Sequence, residues 1–165
     1  MSPENLYVID TSSLINLARW NPHDMYVTVW QNVEGLVSDG RLVAPQAVLD
    51  EISVGSDQLA LWAKRHKMMF KTLTRTQITQ ATKILKDWPS LAEPDKESTV
   101  ADPFVVALAL DKNTSPTLME VGRSRVVVCD ESSRRGRIKI PHVCSSLGVT
   151  CITALDMFRT EGWQF

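Results

Sequence analysis

The chain has 165 residues, 44% of them hydrophobic and 22% charged, with a net charge of −1 and a pI of ≈ 6.3. That length suits one domain with a sizeable core and is short for two, so a single domain over residues 1–165 is expected. The balance excludes a strongly basic nucleic-acid binder by composition, although overall neutrality can hide local basic patches.

No segment approaches the roughly 20 apolar residues that span a bilayer. Cys129, Cys144 and Cys151 form no CxxC pair and no zinc-ligand pattern. Their odd number, and an opening MSPENLYVID without the marks of a signal peptide, point to reduced thiols in a cytoplasm.

Leu6-Tyr7-Val8-Ile9 is a short apolar run that suits a strand buried on both faces, and it ends at Asp10. Thr11-Ser12-Ser13 then offers hydroxyl caps to a helix carrying Leu14, Ile15, Leu17 and Ala18. Asn21-Pro22 breaks that helix, and Tyr26 to Val37 reads as a second, closed by Gly40. Leu42-Val43 reads as a strand, and Pro45 opens a helix with Val48, Leu49 and Ile52. On it Asp50 and Glu51 point roughly 100° apart. Further helices are predicted over Asp57 to Lys67 and Thr74 to Asp87, then a loop from Trp88 to Ser98. Ala101 to Leu110 is the most apolar helix, opened by Asp102-Pro103. Val126-Val127-Val128 is a β-branched strand followed by Asp130 and Glu131. A basic stretch from Ser132 to Lys139, a strand over Val149 to Ile152 and a helix over Ala154 to Arg159 complete the chain.

Alternating strands and helices argue for a parallel sheet covered by helices on both faces. In such sheets ligands bind at the C-terminal ends of the strands. Neither GxGxxG nor GxxxxGK[ST] is present, which excludes those two nucleotide cradles. His23, His66 and His142 lack zinc spacing, and helical spacing makes Trp30 and Trp62 core or interface residues.

Asp10, Glu51, Asp102 and the pair Asp130/Glu131 stand where strands end or on helices beside them. Each alone reads as a cap or a solvated acid; together they form a pattern that a divalent cation would hold. Mg²⁺ or Mn²⁺ takes oxygen ligands of this kind, and activates water against a phosphodiester.

The segments YVIDTSSLINL, APQAVLDEI, TVADPFVVALAL and VVVCDESS resemble the PIN-domain family, the ribonuclease fold of VapC-type toxins. RIKIPHVCSSLGVTCITALDMFR is similar to one PIN-like branch, the DUF4411-like one. The resemblance implies a three-layer α/β/α sandwich with a central, mostly parallel sheet. It implies an Mg²⁺- or Mn²⁺-dependent endoribonuclease that leaves a 5′-phosphate and a 3′-hydroxyl. The implied partners are RNA, a cognate antitoxin protein and a second copy of the chain. Its acidic pocket falls on Asp10, Glu51, Asp102 and either Asp130 or Glu131.

The late family motif, Thr/Ser-x-Asp, is altered here: Cys129-Asp130-Glu131 puts a thiol at the hydroxyl position, and Val128-Cys129-Asp130 removes the hydroxyl. Ser12 and Asn16 are candidate substrate contacts on the first helix, each weighed against a capping or structural role. Arg134, Arg135 and Arg137, with Arg123, Arg125 and Lys139, would form a cationic rim for phosphate. The rival readings are a catalytically weakened scaffold that binds RNA or protein, a DNA-directed nuclease, and a phosphatase using the same acids.

Overall fold

The computed structural model describes residues 5–55, 57–92, 101–110, 124–131 and 139–165. Five short strands pair in parallel: β1 (Leu6–Ile9), β2 (Leu42–Pro45), β3 (Phe70–Lys71), β4 (Arg125–Val128) and β5 (Thr150–Ile152), in the order β3-β2-β1-β4-β5. β1 is central and buried along its whole length, as its continuous apolar run requires. Its register sets Val8 against Val43 on one side and Val127 on the other. With every strand parallel, all C-terminal ends meet one edge of the sheet.

Eight α-helices flank the strands among the described residues, as in a three-layer α/β/α sandwich. They are α1 (Thr11–Trp20), α2 (Val27–Ser38), α3 (Gln46–Ile52), α4 (Gln58–Arg65), α5 (Arg75–Asp87), α6 (Asp102–Leu110), α7 (Ile140–Leu147) and α8 (Ala154–Glu161). Local capping chemistry sets several starts: Asp10 caps α1, Asp57 caps α4, and Thr74 with Gln77 forms a capping box on α5. Gly148 and Gly162 end α7 and α8 in the left-handed conformation that glycine adopts without a Cβ penalty. α6 buries Val105, Val106, Ala107, Leu108 and Ala109 against β1, β2, β4, α5 and α7. No helix among the described residues is long and apolar enough to cross a membrane.

Trp30 and Trp62 lie in the core, as predicted, with ring centroids 5.0 Å apart in edge-to-face contact. Far from the strands' C-terminal ends, Arg41 makes a fork with Glu161, at 3.0 and 2.6 Å, and the Tyr7 hydroxyl donates to the same carboxylate at 2.7 Å. This network ties α8 to the β1–β2 side of the sheet.

Several sequence expectations are corrected. β3 was not foreseen, because two residues carry no periodicity. α7 was not foreseen either; Pro141 sits in its first turn, where the missing N–H costs nothing. Pro45 closes β2, and α3 begins one residue later. The helix predicted to Lys67 ends at Arg65, and a 3-10 turn over Lys67–Met69 follows it. Another 3-10 turn, Pro89–Ala92, occupies part of the expected loop.

Candidate acidic site at the C-terminal edge of the sheet

Asp10 leaves β1 at that edge, and its backbone N–H donates to the Val128 carbonyl of β4 at 3.1 Å. Its carboxylate is 1% exposed. It accepts from the Ser13 N–H at 2.8 Å and from the Ser12 hydroxyl at 2.7 Å. The cap and the candidate ligand are thus one residue. Each carboxylate oxygen has two lone pairs, so capping does not use it up.

Glu51 reaches back from the last turn of α3. Its Oε2 accepts from the Thr11 hydroxyl at 2.5 Å and its Oε1 from the Ala101 N–H at 3.1 Å. One carboxylate thereby ties the start of α1 to the start of α6. Neighbouring Asp50 is exposed, as the angle between adjacent helical residues requires.

Asp102 sits in the first turn of α6. Burial pushes its carboxyl up to about 8, and the Glu131, Asp10 and Glu51 carboxylates add to the rise. Lys139 opposes it. Asp10 is raised by burial, against the hydrogen bonds of Ser12 and Ser13. Glu51 is raised by burial too, and by the charge of Asp10. Four acids therefore feel one another across one small region.

The fourth corner separates Asp130 from Glu131. The Asp130 Oδ1 accepts from the Ala154 N–H at 3.0 Å, which turns it toward the start of α8. Glu131 is the carboxylate acting most strongly on Asp102, and its Oε1 lies 3.7 Å from the Lys139 ammonium. Its Oε2 is buried and has no hydrogen-bond partner among the described residues.

Cys129 is 3% exposed at the end of β4, and its N–H donates to the Ile152 carbonyl at 2.9 Å. The Cys129 thiol acts on the Asp10 carboxyl to lower it, with the hydrogen bonds of Ser12 and Ser13. Contact with the Cys151 thiol, then burial and the Asp10 charge, raise Cys129 far above the ordinary thiol range. A protonated thiol therefore stands where the family resemblance expects a hydroxyl. All three cysteines are free.

The donor chemistry fits a hard divalent cation: oxygen ligands, mutual repulsion, and a buried carboxylate oxygen left without a partner. Among the described residues, however, no three His, Cys, Asp or Glu side chains form a ready metal-binding group. The acids supply charge and donor type, not a preformed cage.

Ser12 and Asn16, one turn apart on α1, are both half-buried, and only Ser12 is hydrogen-bonded to an acid. Of the expected cationic rim, Lys139 stands at the site, whereas the Arg125 guanidinium turns to the Leu108 carbonyl at 2.8 Å. Arg123, Arg134, Arg135 and Arg137 lie outside the described residues. The contacts of Glu51 with the Thr11 hydroxyl and the Ala101 N–H carry no local sequence signal, because they join distant segments.

Comparison with curated proteins returned no match. Residues 7–165 match the family model described as Domain of unknown function (DUF4411), and the chain belongs to that family.

Proposed function

We propose that the chain is a PIN-like, Mg²⁺- or Mn²⁺-dependent endoribonuclease and the toxin of a toxin–antitoxin pair. The observation that carries the reading is the mutual repulsion of Asp10, Glu51, Asp102 and Glu131 at one edge of a parallel sheet, with Asp102 raised to about 8. Acids gathered against their own repulsion point to a function that needs them together.

Asp10, Asp102 and Glu131 would hold the ion, with Glu51 beside them. When bound, a divalent cation supplies charge neutralisation at the phosphodiester and a more acidic water. The chain's own part is positioning. Ser12 and Ser13 fix Asp10, while Thr11 and the Ala101 N–H fix Glu51. Lys139 offsets part of the negative charge that would otherwise repel RNA. Cytoplasmic RNA is the proposed substrate, and a homodimer and an antitoxin protein are the proposed partners.

Asp10→Asn tests the reading. Cleavage of labelled RNA by the unmutated chain with Mn²⁺ should be lost in the variant, with the fold intact by circular dichroism. An Asp10→Asn chain that cleaves as well as the parent removes the proposal. Labelled DNA and a phosphomonoester, assayed alongside, separate a DNA nuclease and a phosphatase. Two observations favour a second reading, a non-cleaving scaffold: Cys129 replaces the hydroxyl, and no ready three-ligand group is formed among the described residues. Calorimetric titration with Mn²⁺ decides, since a scaffold need not bind the ion here.

A further inference from the structure

Residues 64–87 carry seven of the chain's 18 Lys and Arg but one of its 19 Asp and Glu. The strip is strongly cationic in a chain of net charge −1. Lys64, Arg65, Lys67, Lys71 and Arg75 are all exposed. Ordinary surfaces intersperse both signs and pair them along helices. Here none of the five forms an ion pair among the described residues, where the pairs are Arg41–Glu161, His66–Glu34, Lys139–Glu131 and Arg159–Asp156. Segregating one sign without partners costs self-repulsion, and a polyanion relieves it.

The topology gives the strip a direction. β3 is an edge strand, paired only with β2, and Lys71 stands opposite Pro45 at its C-terminal end. Because the sheet is parallel, this is the edge that carries Asp10. β3 lies two strand spacings from β1, about 10 Å. Lys67 precedes β3 in the 3-10 turn and Arg75 opens α5 after it, so cations flank the strand on both sides.

Resting on the ribonuclease reading, we infer that Lys67, Lys71 and Arg75 hold the phosphate backbone of single-stranded RNA. They hold it at a distance from the bond lying at the acidic site. An acidic protein would meet the same charges. Lys71, at the sheet edge that carries the acids, and Arg75 just after it favour the substrate, because a strand seated at the acids runs along that edge.

The test uses the full chain carrying Asp10→Asn, so that RNA stays intact, and a fluorescent single-stranded RNA long enough to span both elements. Anisotropy is read at several salt concentrations. Adding Lys67→Gln, Lys71→Gln and Arg75→Gln should weaken binding at least tenfold. The slope of log K against log salt should fall by about 2, the value for three phosphate contacts on a single strand. Adding Lys67→Arg and Lys71→Arg instead should retain binding, which excludes a folding defect as the cause. Equal affinity and slope in the triple variant overturn the inference, and so does a parent that binds no RNA. Loss of binding to polyglutamate with RNA binding unchanged would assign the strip to an acidic protein, and also overturns it. The ribonuclease reading is judged separately, by cleavage with the unmutated chain.

Discussion

Replacing Asp102 by Asn should make the protein more stable at pH 8 and remove the proposed ribonuclease activity. The Asp102 carboxyl rises from 3.8 to about 8 on folding, through burial and then the charges of Glu131, Asp10 and Glu51. A raised folded-state value means that the native state binds the proton more tightly than the unfolded chain. The contribution to stability is complete below pH about 4 and is lost as pH rises through about 8. The whole rise corresponds to a ceiling of about 6 kcal/mol. The same repulsion is shared with Asp10 and Glu51, so removing one carboxylate should recover about 2 kcal/mol. In a chain of this size that is an increase of about 4–8 °C in Tm. Thermal melts of parent and variant at pH 8 and pH 4 check it: the gain should appear at pH 8 and vanish at pH 4. No gain at pH 8, or an equal gain at both, would refute the electrostatic account. Mn²⁺ should raise the parent's Tm at pH 8 and raise the variant's less, because a cation that binds the native state stabilises it.

Four further outcomes are expected. Glu131→Gln should reduce RNA cleavage by about 100-fold or more and raise stability at pH 8, since it removes the charge acting most strongly on Asp102. Asp130→Asn should keep activity and lose about 1 kcal/mol, from the weakened contact with the Ala154 N–H, and paired kinetic and melting assays check both. Glu161→Gln should cost about 2–3 kcal/mol in urea unfolding, since it removes the carboxylate shared by Arg41 and the Tyr7 hydroxyl. The Tyr7 hydroxyl, held at about 12 by burial and then by Glu161, should titrate lower in that variant. Iodoacetamide should leave the native thiols largely unmodified at pH 8. Cys129 and Cys144 are buried, and Cys151 is pushed up to about 12, where contact with Cys144 and burial outweigh the lowering by Cys129. Mass spectrometry should find all three alkylated after unfolding.

The elements that the sequence set by itself rest on local physics. The apolar run before Asp10, the β-branched run before Cys129, the Thr74 cap and the Asp102-Pro103 opening need only neighbours along the chain. Asp10, Glu51 and Asp102 were legible for the same reason: each stands at a strand end or on an adjoining helix. Tertiary structure alone divided Asp130 from Glu131. Both follow the same strand, and docking of α8 supplies the N–H that turns Asp130 away. Only packing across the sheet gave Glu51 its donors from Thr11 and Ala101, segments 40 and 50 residues away. The edge strand β3 likewise depends on β2, because two residues form a strand only when a neighbour supplies the ladder. Its pairing places Lys71 opposite Pro45, at the sheet edge that carries the acids.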